Sequence, residues 1–362
     1  MDADHWSPIP LPDRILVVRL SAMGDIIHGL PAIAALRRAK PELKIGWLVE
    51  QRWAELLCSR DSERFAPRSQ LKPLVDWVHV ANFSGWRHAL FAIGTWHEVR
   101  SRLREVRAMK YEMTLDLQGS LRSALAARAA GARVRVGSSQ PREAPAAMLY
   151  ARAIAPAGAH VVEQAASLAS AVAGEALECV QPSFPLDPVH EAWAEDFVAK
   201  LDGKPVAILN PGAGWGAKCW PAESFGAVAC VLAERGMSVV VNHGPGEERL
   251  AEAVRESSGG VAVPLRCSVG ELIALTRRAR LFIGGDTGPM HLAAALRIPV
   301  VALFGPTRPE RNGPSGTRSV VLRSPESVNQ TSHTDRPDDG LTSIQPQAVI
   351  DAAAQLLGGG SA

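Results

Sequence analysis

Along the whole chain, short runs of consecutive apolar residues alternate with stretches in which apolar positions recur every three or four residues. The runs have the length of strands buried on both faces, and the stretches between them have the period of amphipathic helices. That alternation is the signature of a parallel sheet wound by helices, so the chain is predicted to be an α/β protein. In the first half the pattern predicts strands over 14–20, 44–49 and 113–117 and helices over 26–39 and 120–130. In the second half it predicts strands over 206–209, 238–241, 262–265, 281–283 and 300–304, spaced by helices over 222–235, 247–257, 269–278 and 289–296. Residues 77–107 break the rhythm, mixing Trp77, Trp86 and Trp96 with basic residues, and read either as a mobile lid or as a helical insertion. Pro182, Pro185 and Pro188 interrupt every regular pattern and mark a linker. Residues 325–340 read as a surface loop, and a last helix is predicted over 346–357.

The length sharpens this picture, because 362 residues exceed the ~250–300 at which one core usually stops growing; two domains and a cleft are expected. Hydrophobic residues make up 47% and charged residues 21%, ordinary for a globular protein, and no apolar stretch approaches the ~20 residues that cross a bilayer. Residues 1–8 carry acids and a proline where a secretory signal would carry a basic and then an apolar region, which predicts a cytosolic protein. The five cysteines are odd in number, widely spread and free of any Cys-x-x-Cys pair, and so read as reduced thiols. The net charge of +2 hides a local contrast. Residues 100–152 hold Arg100, Arg102, Arg104, Arg107, Lys110, Arg122, Arg128, Arg133, Arg135, Arg142 and Arg152 against few acids. Such a region suits nucleic acid, an anionic membrane surface or a phosphorylated substrate, or is simply a set of solvated helix faces. No aromatic interleaving or nucleic-acid motif supports the first of these.

The segment from Phe282 to Leu296 passes from an apolar strand through the turn Gly284-Gly-Asp-Thr-Gly-Pro289 into a helix. First-turn amides of a helix lack intrahelical partners and sit at the positive end of its dipole, so the turn is built to hold a phosphate. Gly284, Gly285 and Gly288 allow close backbone approach, Pro289 suits the first helical position, and His291 falls in the first turn. Asp286 or Thr287 either caps the helix or bonds a ligand hydroxyl. The loop 210–221 has Gly212, Gly214 and Ala217 at the spacing of a dinucleotide fingerprint, yet Lys218 and Pro221 stand where the helix should begin. A hydride-transfer enzyme is therefore a distant reading, and Lys218 remains as one cation for a diphosphate or as a solvated loop lysine. Glu247 and Glu248 follow the second strand of this half, where ribose hydroxyls are often met, and both also suit a helix's first turn. Asp25, in the first β/α turn, reads either as a helix-start acid or as a general base; its neighbours Met23 and Gly24 give no Ser-x-x-Glu cap. Beyond the terminal Asp2-Ala-Asp4 no Asp-x-Asp, and no His/Asp cluster, calls for a metal.

Four segments taken together carry a resemblance: Ser21-Ala-Met-Gly-Asp-Ile-Ile-His-Gly-Leu-Pro31, Asp116-Leu-Gln-Gly-Ser-Leu-Arg-Ser123, Lys218-Cys-Trp-Pro221, and Gly285-Asp-Thr-Gly-Pro-Met-His291 with Phe304-Gly-Pro-Thr307. In order and spacing, from about residue 14 to 315, they resemble glycosyltransferase family 9, the lipopolysaccharide heptosyltransferases, and within it heptosyltransferase I. The resemblance implies a GT-B fold: an acceptor-binding Rossmann-like domain over 1–185, a nucleotide-sugar-binding one over 186–345, and a helix over 346–362 that crosses back. It implies inverting, metal-independent transfer of heptose from ADP-heptose to a Kdo residue of Kdo-lipid A, with no cofactor. Asp25 then resembles the base and Lys218 the cation facing the departing diphosphate. Asp286, Thr287, Gly288, Pro289 and His291, with Glu247 and Gly212, resemble the donor site. Arg87, Gln118, Arg122 and Arg142 are the acceptor contacts expected in the basic half. Peripheral contact with the inner face of the membrane is expected because the acceptor is a lipid there. The lid around Trp86-Arg87 is poorer in clustered basic residues than the family pattern, and 325–340 has no obvious counterpart. Another core acceptor or nucleotide sugar, or a non-catalytic nucleotide-binding protein, are the alternatives.

Overall fold

The computed structural model describes residues 12–89, 91–329 and 336–358, and residues 1–8 of the signal-sequence argument lie outside them. The chain divides into two compact units, Met1–Leu186 and Asp187–Ala362. Each unit is built on six parallel strands. The first holds β1 (Arg14–Val18), β2 (Lys44–Glu50), β3 (Trp77–Ala81), β4 (Met113–Asp116), β5 (Val134–Ser138) and β6 (Arg152–Ile154), in the order β3-β2-β1-β4-β5-β6. The second holds β7 (Val206–Asn210), β8 (Ser238–Asn242), β9 (Ala262–Leu265), β10 (Ala279–Gly285), β11 (Val300–Phe304) and β12 (Ser319–Arg323), in the order β12-β11-β10-β7-β8-β9. Counted from its own first strand, each sheet has the Rossmann order 3-2-1-4-5-6: the chain starts at the centre, winds to one edge, returns and winds to the other. The reversal falls between β1 and β4 and between β7 and β10, where diverging crossovers open a crevice at the strands' carboxyl ends.

The central strands are buried throughout, which is why they read as unbroken apolar runs: Ile15 to Val18 and Val206 to Leu209 are inaccessible to solvent. The second sheet lies between two apolar layers, one including Phe225, Val228, Leu232 and Val254, the other Leu275, Phe282, Met290 and Phe304. The last helix, Pro346–Gly358, joins the first of these layers through Val349, Ile350, Ala353 and Leu356. Its apolar face is thus buried within the second unit.

Residues 77–107 are more regular than their composition suggests. They form β3 and the helices Phe83–His88 and Ile93–Ala108. His79 hides the strand from a hydrophobicity reading, since it is completely buried and answered on both ring nitrogens, by Glu105 Oε1 at 2.9 Å and Tyr111 Oη at 2.8 Å. β5, β6 and β12 escape the pattern because they carry Arg135, Arg152 and Arg323. Pro188, assigned to a linker, opens the helix Pro188–Ala199, whose cap Asp187 accepts from Val189 N at 3.0 Å. Of the loop 325–340, residues 330–335 lie outside the described residues, while Ser327 Oγ donates to the buried Asp338 at 2.6 Å.

Two strand glycines make room for the chain's two tyrosines. A methyl group at Gly46 would overlap the Tyr111 ring, and one at Gly137 the Tyr150 ring. Each phenol ends on a buried acceptor, His79 for Tyr111 and Asp116 for Tyr150. Among the described residues no helix is long and apolar enough to cross a membrane.

Candidate active site

In the first unit β1 and β4 end side by side, and the segments that follow them are laced together. Gln118 Oε1 accepts from Leu20 N at 2.8 Å and Ser21 N at 3.3 Å, and its nitrogen donates to Ser120 Oγ at 3.0 Å. Asp116, the buried last residue of β4, accepts from Gln118 N, Gly119 N, Ser123 Oγ and Tyr150 Oη at 2.8 to 3.1 Å. Burial raises its pKa, and these four bonds reduce the rise without cancelling it.

The turn so braced carries Asp25. Its Oδ2 accepts from Ala22 N at 3.2 Å and its Oδ1 meets Arg19 Nη2 at 2.9 Å. Its side chain is still 39% exposed, so a carboxylate aimed by two fixed donors remains open to solvent. The missing Ser-x-x-Glu cap is thus half replaced: Asp25 itself reaches back to the cap residue's N–H, and the helix-start and base readings describe one geometry. Of the expected arginines, Arg122 touches this turn. Arg122 lies 3.5 Å from Ser21 Oγ and 5.4 Å over the ring of Phe83, whose helix carries the exposed Arg87. Arg142 is exposed, and its backbone nitrogen packs closely on Gly119.

In the second unit β10 ends at Gly285 and the helix Gly288–Ala295 follows after two residues. Thr287 is the cap residue but its side chain makes no capping bond; its hydroxyl donates to Gly285 O at 3.3 Å. Pro289 is the helix's second residue, where a missing N–H is still harmless. Asp286 is the hub. Oδ2 accepts from Lys218 Nζ at 2.8 Å, Oδ1 lies 3.0 Å from His291 Nε2, and its carbonyl takes a second Lys218 bond at 3.1 Å. Burial opposes ionisation, yet the hydrogen bonds and charges of His291 and Lys218 outweigh it and hold the Asp286 carboxyl far below the usual carboxylate range. The carboxylate is therefore ionised and answered on both oxygens, which fixes Lys218 and His291 beside the helix start. Lys218 keeps one of its three ammonium hydrogens for another acceptor, with its Nζ 5.0 Å over the Trp215 ring.

Gly284 and Gly285 are also needed for packing: a Cβ would meet the Asn210 carbonyl at Gly284 and the Lys218 carbonyl at Gly285, each at 3.0 Å. Gly212 and Glu247 come together. A methyl group at 212 would overlap the Glu247 carboxylate, which accepts from Gly244 N at 2.7 Å. Glu248 is exposed and pairs with Arg266 at 3.4 Å.

A model of glycosyltransferase family 9 (heptosyltransferase) matches residues 99–339. The chain belongs to this family. It is a glycosyltransferase, with both Rossmann-like sheets of the GT-B fold. Lipopolysaccharide heptosyltransferase 1 of Pseudomonas aeruginosa is 33% identical over 319 residues, 86% of this chain and 84% of that one. The Escherichia coli K12 protein of the same name is 28% identical over 95% of this chain and all of its own length. E. coli heptosyltransferase WaaC with ADP-2-deoxy-2-fluoro heptose superposes with a TM-score of 0.73 at 25% identity, covering 94% of this chain and 99% of that one.

Within this family member, several polar residues at strand ends were given no role from sequence. Arg19 aims Asp25. Asn210 and Asn242 end β7 and β8, with Asn242 Nδ2 donating to Asn210 Oδ1 at 2.6 Å and Asn210 Nδ2 to Gly212 O at 2.9 Å. Thr307 Oγ1, after β11, is buried without a hydrogen-bond partner. The available signal was positional: each ends, or closely follows, an apolar strand.

Proposed function

We propose that the chain transfers heptose from ADP-heptose to a Kdo residue of Kdo-lipid A, with inversion and without a metal, in assembly of the lipopolysaccharide inner core. The carrying observation is the second unit's helix start, whose cap side chain makes no capping bond and beside which Asp286 fixes Lys218. Free first-turn amides and an adjacent cation suit a diphosphate whose negative charge grows as it leaves. The heptosyltransferase 1 relatives and the ADP-heptose analogue named with WaaC support this donor.

In the proposed step an acceptor hydroxyl oxygen attacks the anomeric carbon from the face opposite the diphosphate. The anomeric carbon–oxygen bond to ADP breaks, the hydroxyl proton passes to Asp25, and Lys218 with the Thr287 and Gly288 backbone at the turn that Pro289 shapes meets the departing charge. Asp286 acts by holding Lys218 and His291. Glu247, seated over Gly212, faces the ribose. Arg122, Arg87 and Arg142 meet acceptor anions, while Gln118 braces the Asp25 turn. Such an enzyme works on the cytoplasmic side of the inner membrane, at its surface.

The test is ADP release from ADP-heptose, in chelator, with and without Kdo-lipid A, for the native protein and Asp25→Ala. Acceptor-dependent release that persists in chelator and collapses in the variant is expected. Equal release by both proteins would remove Asp25 as base, and release with UDP- or GDP-sugars instead would replace the donor.

A further inference from the structure

Apart from Met148, the most exposed large apolar side chains of the first unit among the described residues cluster at one place, the start of the helix Ile93–Ala108. Phe91 is fully exposed, Ile93 88% and Trp96 54%. At 100° per residue, Ile93, Trp96, His97, Arg100, Arg104 and Arg107 share one face about 100° wide, and all six are exposed. The opposite face faces the protein. Val106 is buried there, and the helix's two acids are both turned inward: Glu98 accepts from Trp86 Nε1 at 2.9 Å and Glu105 meets His79 Nδ1 at 2.9 Å. The charges are thus segregated, with an outer stripe that is apolar at its N-terminal end and purely basic beyond it. Arg100 and Arg104 follow the apolar tip one turn apart, about 6 Å along the axis.

We infer that this face is a docking surface for an anionic lipid bilayer, with Phe91, Ile93 and Trp96 entering the interface and Arg100 and Arg104 lying over phosphate headgroups. The charge complementarity favours that occupant. A stripe without acids gains from a negative surface along its whole length, whereas apolar tips alone reach only the acyl boundary. The inference rests on the proposed function for where the enzyme works, but its deciding readout is vesicle binding, which needs no turnover.

The full-length protein is sedimented with vesicles of phosphatidylethanolamine and phosphatidylglycerol, and with phosphatidylcholine vesicles, none containing donor or acceptor. Binding to the anionic vesicles is expected. Phe91→Ser with Ile93→Ser should lower the partition coefficient about 10-fold or more, and Arg100→Gln with Arg104→Gln about 5-fold per charge at low salt. Turnover of an acyl-free acceptor by both variants should match the native protein, which separates a lost surface from a damaged enzyme. Failure of the native chain to bind anionic vesicles, or unchanged binding by the serine variant, would overturn the inference. So would a concentration-dependent dimer abolished by the same serines with vesicle binding intact, because the face would then be covered by a second copy.

Discussion

Asp25 and Asp286 show two uses of one carboxyl group. Asp25 is oriented but open, the arrangement needed to receive a proton. Asp286 is buried and doubly answered, the arrangement needed to position other groups. Asp25→Asn keeps the side chain's size but can answer only one of the two donors, Ala22 N and Arg19, and should lose about 100- to 10,000-fold in kcat, with ADP affinity by calorimetry unchanged. Lys218→Ala should lose about 100- to 1,000-fold in kcat, by analogy with removing one preorganised charge-stabilising donor. Asp286 also predicts a pH signature. Its folded-state pKa is depressed, so its contribution to stability is present above the unfolded value near ~3.9 and is lost as pH falls through the folded value. Denaturant titrations should show a native-versus-Asp286→Asn stability gap that is widest near neutral pH and narrows below about pH 4; a gap that widens on acidification would reverse the assignment.

The elements that were legible from sequence are those whose burial is symmetrical. β7, β8, β11 and the central strands β1 and β4 lie where apolar runs stand, and the turn 285–291 combines a buried strand, glycines and a helix start in one short word. The hidden elements owe their order to polar residues satisfied at long range. β3 carries His79, whose partners Glu105 and Tyr111 lie 26 and 32 residues away, and no local pattern announces such pairing. The same distance effect hid Asn210 and Asn242, which bond across 32 residues, and Arg19 too is assigned a role only by what it bonds. The loop before the helix Ala222–Glu234 shows how an element serves the site: Trp220 is 2% exposed, donates to Ile344 O at 3.0 Å and packs edge-on to Phe225, which holds Lys218 two residues upstream. Trp220→Ala should destabilise the protein by about 3–5 kcal/mol in urea unfolding, with kcat falling further than thermal stability alone explains.

Each unit carries its own sheet, its own core and its own group of candidate residues. Every candidate donor residue, from Gly212 to His291, belongs to the second unit, so residues 187–362 expressed alone should fold and bind ADP within a few-fold of the full chain; loss of binding would show that the first unit contributes donor contacts. The first unit carries both tyrosines, each wedged against a strand glycine. Burial, reinforced by nearby acids, pushes both phenols far above their ordinary value, so the unfolded chain gives up these protons first and stability drains away as pH rises past ~10. Phenolate absorbance is therefore silent while the first unit is intact and appears when it opens, with nothing from the second unit to blur it. Nature has left this enzyme an internal optical reporter for one half of itself, readable in an alkaline jump without any label.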